Sequence, residues 1–141
     1  MKKRIFSFVT ALVLLVSTAV TASAVEMRSS PTLAMYNAKI TKGTANSGKI
    51  VISYDVSANT EAEEVGVSSI DIYKVKDDEY VTTITGTTWN GLIETNTEWH
   101  RSSYTYKGTS GVEYYAVVTV YAKIDGVSDS KPYTTNSCVA P

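Results

Sequence analysis

The stretch "EYYAVVTVYAK", Glu113 to Lys123, constrains this chain more than any other. Successive side chains on a strand point to opposite faces, so at period two Tyr114, Ala116, Val118, Val120 and Ala122 form one stripe. Tyr115, Val117, Thr119, Tyr121 and Lys123 form the other. The first stripe is a core face. The second is too apolar for a face that meets only water, and it ends in the Thr and Lys of a partly wet surface. The chain that holds it must build a sheet with one buried face and an aromatic outer one.

Other runs repeat the pattern. "MYNAKITK" reads as a first strand, and "KIVISYDVS" as a second with Ile50, Ile52, Tyr54 and Val56 on one face. "ANTEAEEVGVS" is acidic and reads as a loop with one helical turn at "TEAEE". "SSIDIYKV" places Ile70 and Ile72 inward and Asp71, Tyr73 and Val75 outward. "KDDE" connects it to "YVTTITGT" as a hairpin. Residues 86–101 have no steady period and carry both tryptophans. "SSYTYKG" reads as another strand, and Asp125 and Gly126 turn the long strand into a last one through "SDSKPYTT". These elements, with no long amphipathic helix to compete, predict an all-β fold: a single seven-stranded antiparallel β-sandwich.

"GTSGVEYYAVVTVYAKIDGVSDSKPYTT" resembles the second half of a fibronectin type III domain, and the resemblance, shared with Ig-like sandwiches, runs over residues 33–135. It implies that Tyr114 holds the tyrosine-corner position, its ring at the edge of the core and its hydroxyl bonded to backbone just upstream. It implies that Tyr54 stands where the family usually carries a core tryptophan. The pattern also resembles small secreted single-domain bacterial proteins of unassigned function. A shared fold carries no chemistry with it.

The N-terminus fixes the expected compartment. Lys2, Lys3 and Arg4 precede the apolar run "IFSFVTALVLLVSTAV" and the small residues Ala22 and Ala24. That is the pattern of a secretory signal peptide over residues 1–24, and the run is short of the roughly 20 apolar residues of a spanning helix. Residues 25–32 read as a flexible lead and residues 33–141 as the sandwich domain, secreted and free of the membrane after cleavage. Three of the 13 basic residues fall in the leader and all 14 acidic ones outside it, so the remainder has a net charge of −4. No basic run survives to hold nucleic acid. Cys138 is the only cysteine, so no internal disulfide is available; it is a small residue near the end of the last strand, a free thiol, or a link to another chain.

Candidate chemistry is sparse. His100 is the only histidine, which excludes a His-rich or Cys-rich zinc site, and no strained Gly-x-Ser-x-Gly turn supports a serine triad. Asp77 with Asp78, and Glu63 with Glu64, read as solvated loop charge and lack EF-hand spacing. The chain is therefore expected not to be an enzyme and to need no cofactor or metal. Two binding readings stand. In the first, the module meets an unknown protein or a second copy of itself through Tyr73, Val75, Tyr115, Val117 and Tyr121, with Tyr133 joining from the last strand; those residues otherwise only reinforce the sheet. In the second, Trp89 and Trp99 sit on loops and stack on a glycan; otherwise at least one covers the open end of the core.

Overall fold

Turns punctuate the chain where the backbone enters the left-handed region. Asp125 and Gly126, at φ 50° and 77°, close a two-residue hairpin that pairs Ile124 with Val127, a conformation glycine adopts without a Cβ penalty. Asp77 and Asp78 do the same at φ 63° and 49° in the short turn Lys76–Asp78. The computed structural model describes residues 30–141. Between these turns lie strands β1 (Leu33–Lys42), β2 (Lys49–Lys74), β3 (Glu79–Thr85), β4 (Ile93–Lys107), β5 (Glu113–Ile124), β6 (Val127–Thr134) and β7 (Cys138–Val139). The protein is all-β. Its strands form one connected antiparallel sheet that curls on itself.

The pairing explains the curl. The first part of β2, to Ser57, lies between β1 and β4, with Tyr54 opposite Ala38 on one side and Ser102 on the other. The later part, from Glu64, lies against β5, while β3 and the start of β4 share its other side. β6 and β7 pair with β5. Register shifts between Ser57 and Ala62 and between Val67 and Ser69 bend β2 through the change of neighbours. At Gly66 (φ 149°) β2 passes so close to the chain before β4 that a Cβ would lie 2.1 Å from the Leu92 carbonyl oxygen. β1 thereby comes round to touch β5, β6 and β7. Asn136 fastens that closure, its Oδ1 accepting from the Ile40 N–H at 3.1 Å and its Nδ2 donating to the Ile40 carbonyl at 3.0 Å.

The core fills the inside of the curl. Ile50, Ile52, Val56, Ile70, Ile72, Val118 and Val120 are fully buried, with Ile40, Tyr54, Tyr114 and the alanines of β5 completing the contact surface. Truncating one of these isoleucines to alanine would cost about 2–5 kcal/mol.

Several sequence readings change. The segment read as a loop with a helical turn, "ANTEAEEVGVS", is the middle of β2. Two of its acidic residues are satisfied from β5 and the following turn: Glu63 accepts from the Gly126 N–H at 2.9 Å and pairs with Lys123 at 3.2 Å, and Glu64 accepts from the Tyr121 hydroxyl at 3.0 Å. Ala62, Val65 and Val67 face the core between them. The aperiodic stretch 86–101 is in large part strand, since β4 begins at Ile93 and runs unbroken into "SSYTYK". The fold is all-β and antiparallel, and where the sequence predicts a sandwich the strands form one curled sheet joined through β2, which pairs with β1, β3, β4 and β5. The leader reading, 1–24, falls outside the described residues. At the end of the segment read as a flexible lead, Thr32 is buried and donates its hydroxyl to the Ala122 carbonyl at 3.1 Å.

Candidate functional site

Two outer faces carry the aromatic residues singled out by sequence. On the first, β2 and β5 place Tyr73 directly opposite Tyr115, and their rings stack at 5.1 Å between centroids with planes 9° apart. Tyr80 of β3, paired with Tyr73 from the other side, meets it edge-on at 5.7 Å. The hydroxyls have acceptors as well: Tyr115 donates to Asp78 Oδ1 at 3.1 Å and Tyr121 to Glu64 Oε2. Loss of hydration and then these hydroxyl-to-carboxylate bonds raise both phenols above their ordinary value. Val117 lies between them opposite Asp71, which accepts from the Thr83 hydroxyl. Tyr121 sits apart from the pair, beside Gly66, and Val75 is at the end of the face where the chain leaves β2. Tyr133 does not join. It is opposite the buried Val118 and packs edge-on against Tyr36 at 6.3 Å.

The second face is made by β1, the first part of β2, and β4. Met35, Ser57 and Trp99 align across the three strands, and Asn37, Asp55 and Arg101 form the next row. Trp99 is 60% exposed and Met35 74%. With Tyr36 these residues line a hollow of about 530 Å³. A second hollow of about 310 Å³ shares Asn37, Asp55 and Arg101 and extends along Lys39 and Ser53. Arg101 Nε donates to Asp55 Oδ2 at 2.9 Å, and its Nη2 donates to the same oxygen. An indole ring thus lies beside a fixed row of planar hydrogen-bonding groups.

Trp99 therefore lies on a strand, not on a loop as the sequence suggests. Trp89 is on the β3–β4 connection, 96% exposed and separate from that hollow. His100 points to the other side of β4, with Nε2 donating to the Gly91 carbonyl at 2.7 Å and lying 3.1 Å from the Tyr54 hydroxyl. Burial pushes the Tyr54 phenol up to about 12, partly offset by a bond with Ser102. Tyr114 is buried, and its hydroxyl accepts from the Thr109 N–H at 2.9 Å. Cys138, in β7, is a half-buried free thiol opposite Tyr114. Among the described residues no three His, Cys, Asp or Glu side chains converge as they would round a metal ion. Met35, Asp55 and Arg101 escaped the sequence reading because each is unremarkable alone; only the register of three strands makes them neighbours of Trp99.

No family model matches the chain, and no curated protein sequence matches it. Solved structures resemble it distantly. A family 76 glycoside hydrolase from a bovine Bacteroides thetaiotaomicron strain is 12% identical over 75% of this chain and 20% of its own, with a TM-score of 0.43. The β-glucuronidase of Parabacteroides merdae is 12% identical over 72% and 13%, with a TM-score of 0.39. The thioester domain of the Enterococcus faecium TIE86 protein is 13% identical over 79% and 44%, with a TM-score of 0.24. This chain spans a fifth or less of the length of the first two. The expectation that the chain is not an enzyme is corrected: its structural neighbours include a glycoside hydrolase and a glucuronidase, and a thin inventory of catalytic residue types does not exclude one. At these identities the likeness assigns no activity.

Proposed function

We propose that the chain is a secreted binding module that takes a neutral carbohydrate in the hollow beside Trp99. One observation carries the reading: a largely exposed indole is set in a strand row next to the Asp55–Arg101 pair and Asn37, over a concave surface. A pyranose has an apolar C–H face that packs on an indole and rim hydroxyls that need donors and acceptors in nearly one plane. Arg101 supplies donors. Both of its bonds go to Asp55 Oδ2, so Oδ1 remains an acceptor for a hydroxyl. The net acidic charge expected of the secreted chain disfavours anionic sugars.

The fold reading that goes with this is a fibronectin III or Ig-like sandwich. It is supported by the grouping of β1, early β2 and β4 on one side and of β3, late β2, β5 and β6 on the other. The tyrosine face reads as sheet reinforcement, because its rings are used on one another and its hydroxyls on Asp78 and Glu64. A neutral-glycan array probed with the chain and with Trp99→Ala tests the proposal. The native chain should bind a subset of glycans that the variant does not. Binding that is absent throughout, or unchanged by the substitution, rejects it.

A further inference from the structure

An exposed strand edge invites another strand, and natural proteins blunt such edges with charge, proline, bulges or a covering group. Three edges here are blunted. β1 carries Lys39 and Lys42, a register shift after Leu33, and the Asn136 amide on its Ile40 peptide. β6 carries Asp129, Lys131 and Pro132. β3 has a register shift beside Tyr73, and Asn90 Nδ2 takes its Thr85 carbonyl at 2.7 Å. β4 differs. From Trp99 to Lys107 it pairs with β2 in constant register, without bulge, proline or glycine, and Ser102–Tyr106 is uncharged.

Which peptide groups that edge offers follows from the alternation of an antiparallel ladder. The Gly108 N–H donates to the Gly48 carbonyl at 2.9 Å, so the even-numbered residues of β4 bond to β2 and the odd-numbered ones turn their N–H and C=O away. Among the described residues β4 pairs with no strand but β2, and outside the strand ladders the backbone of Arg101, Ser103 and Thr105 makes no hydrogen bond. On the core side, Tyr104 and Tyr106 are only partly buried at this rim.

We propose that this edge pairs with the same edge of a second copy, antiparallel about a two-fold axis at Ser103. The choice of occupant rests on self-complementarity. An axis at Ser103 sets Ser103 against itself, Arg101 against Thr105 and Trp99 against Lys107 of the second copy, so every outward peptide group from Trp99 to Lys107 meets another, the Trp99 carbonyl adding this bond to the one it accepts from the Thr97 hydroxyl at 3.3 Å. No like charges face each other, and the ammonium of Lys107 lies beside the indole of Trp99. Moving the axis to Arg101 opposes two guanidinium groups, and moving it to Thr105 leaves Trp99 and Arg101 unpaired. The pairing shares Trp99 and Arg101 with the carbohydrate reading but does not rest on it, and it is read from association state where that reading is read from glycan binding.

Sedimentation velocity of the purified chain across a concentration series tests this, with each variant first shown by its melting curve to be folded. The native chain should dimerise. Ser103→Lys, which opposes two ammonium groups at the axis, should weaken the dimer by roughly tenfold or more. Thr105 gives a test by sign: Thr105→Lys, facing Arg101 of the second copy, should weaken the dimer, and Thr105→Glu should strengthen it. The proposal is overturned if the native chain is monomeric throughout, or if neither lysine variant changes association. It is equally overturned if association is lost on changing Tyr115 and Tyr121 to serine but not on changing Ser103.

Discussion

The two outer faces hold aromatic residues of similar size and use them differently. On the tyrosine face, Tyr73 is stacked on Tyr115 and touched by Tyr80, and the hydroxyls of Tyr115 and Tyr121 end on carboxylates. On the tryptophan face, Trp99 has no aromatic partner among the described residues, and its neighbours in the row are Ser57 and Met35. A ring that already has a partner stabilises the sheet; a ring without one is available to something else. Exposure alone would not separate them, since Tyr80 at 56% is nearly as open as Trp99.

The sharpest break between the faces is Trp99→Ala. Truncating a central aromatic anchor should cost at least about 2 kcal/mol of carbohydrate affinity, close to a thirtyfold loss, while the melting temperature hardly moves. Isothermal titration and a thermal melt measure both. The tyrosine face should respond in the opposite sense: a double-mutant cycle on Tyr73 and Tyr115 should return a coupling of about 0.5–1.5 kcal/mol in chemical denaturation, with affinity intact. Tyr114→Phe, which serves neither face, should cost about 1 kcal/mol through the lost Thr109 bond.

A pH titration separates the faces more gently. Tyr115 and Tyr121 have folded-state pKa values raised above the ordinary phenol value, so the neutral forms are favoured in the fold. Their contribution is complete below that value, near pH 10, and is lost as pH rises through the higher folded-state value. Phenolate absorbance should therefore appear late for these residues, latest for Tyr54 at about 12, and urea stability should fall over the same range. The smallest effect is expected from Trp89→Ala, which should leave stability and affinity within about 0.5 kcal/mol of the native chain.

What was legible in the sequence was what depends on neighbours along the chain. The stripes Ile50 to Val56 and Tyr114 to Ala122 are buried because alternation on a strand leaves them no other face, and Asp125–Gly126 turns where its backbone permits. What depends on distant residues was not. Glu63 and Glu64 look like loop charge until Lys123, Tyr121 and Gly126 arrive from β5 and its turn, which is why a strand passed for a loop. Trp99 looked like a loop residue because Thr95, Asn96 and Thr97 interrupt its apolar pattern, and Asn96 takes a positive φ of 53° within the strand. The hollow beside it required Met35, Asp55 and Arg101 from three strands, a grouping no local pattern announces.

The central claim, that Trp99 and not the tyrosine face meets the ligand, is tested most directly by tryptophan fluorescence in Trp89→Phe, where Trp99 is the sole reporter. Titration with a neutral glycan selected on the array should shift or quench that emission in a saturable way, and the same titration of Trp99→Phe, reporting from Trp89, should give a flat trace. A flat trace from Trp99, or a saturable one from Trp89, would contradict the account.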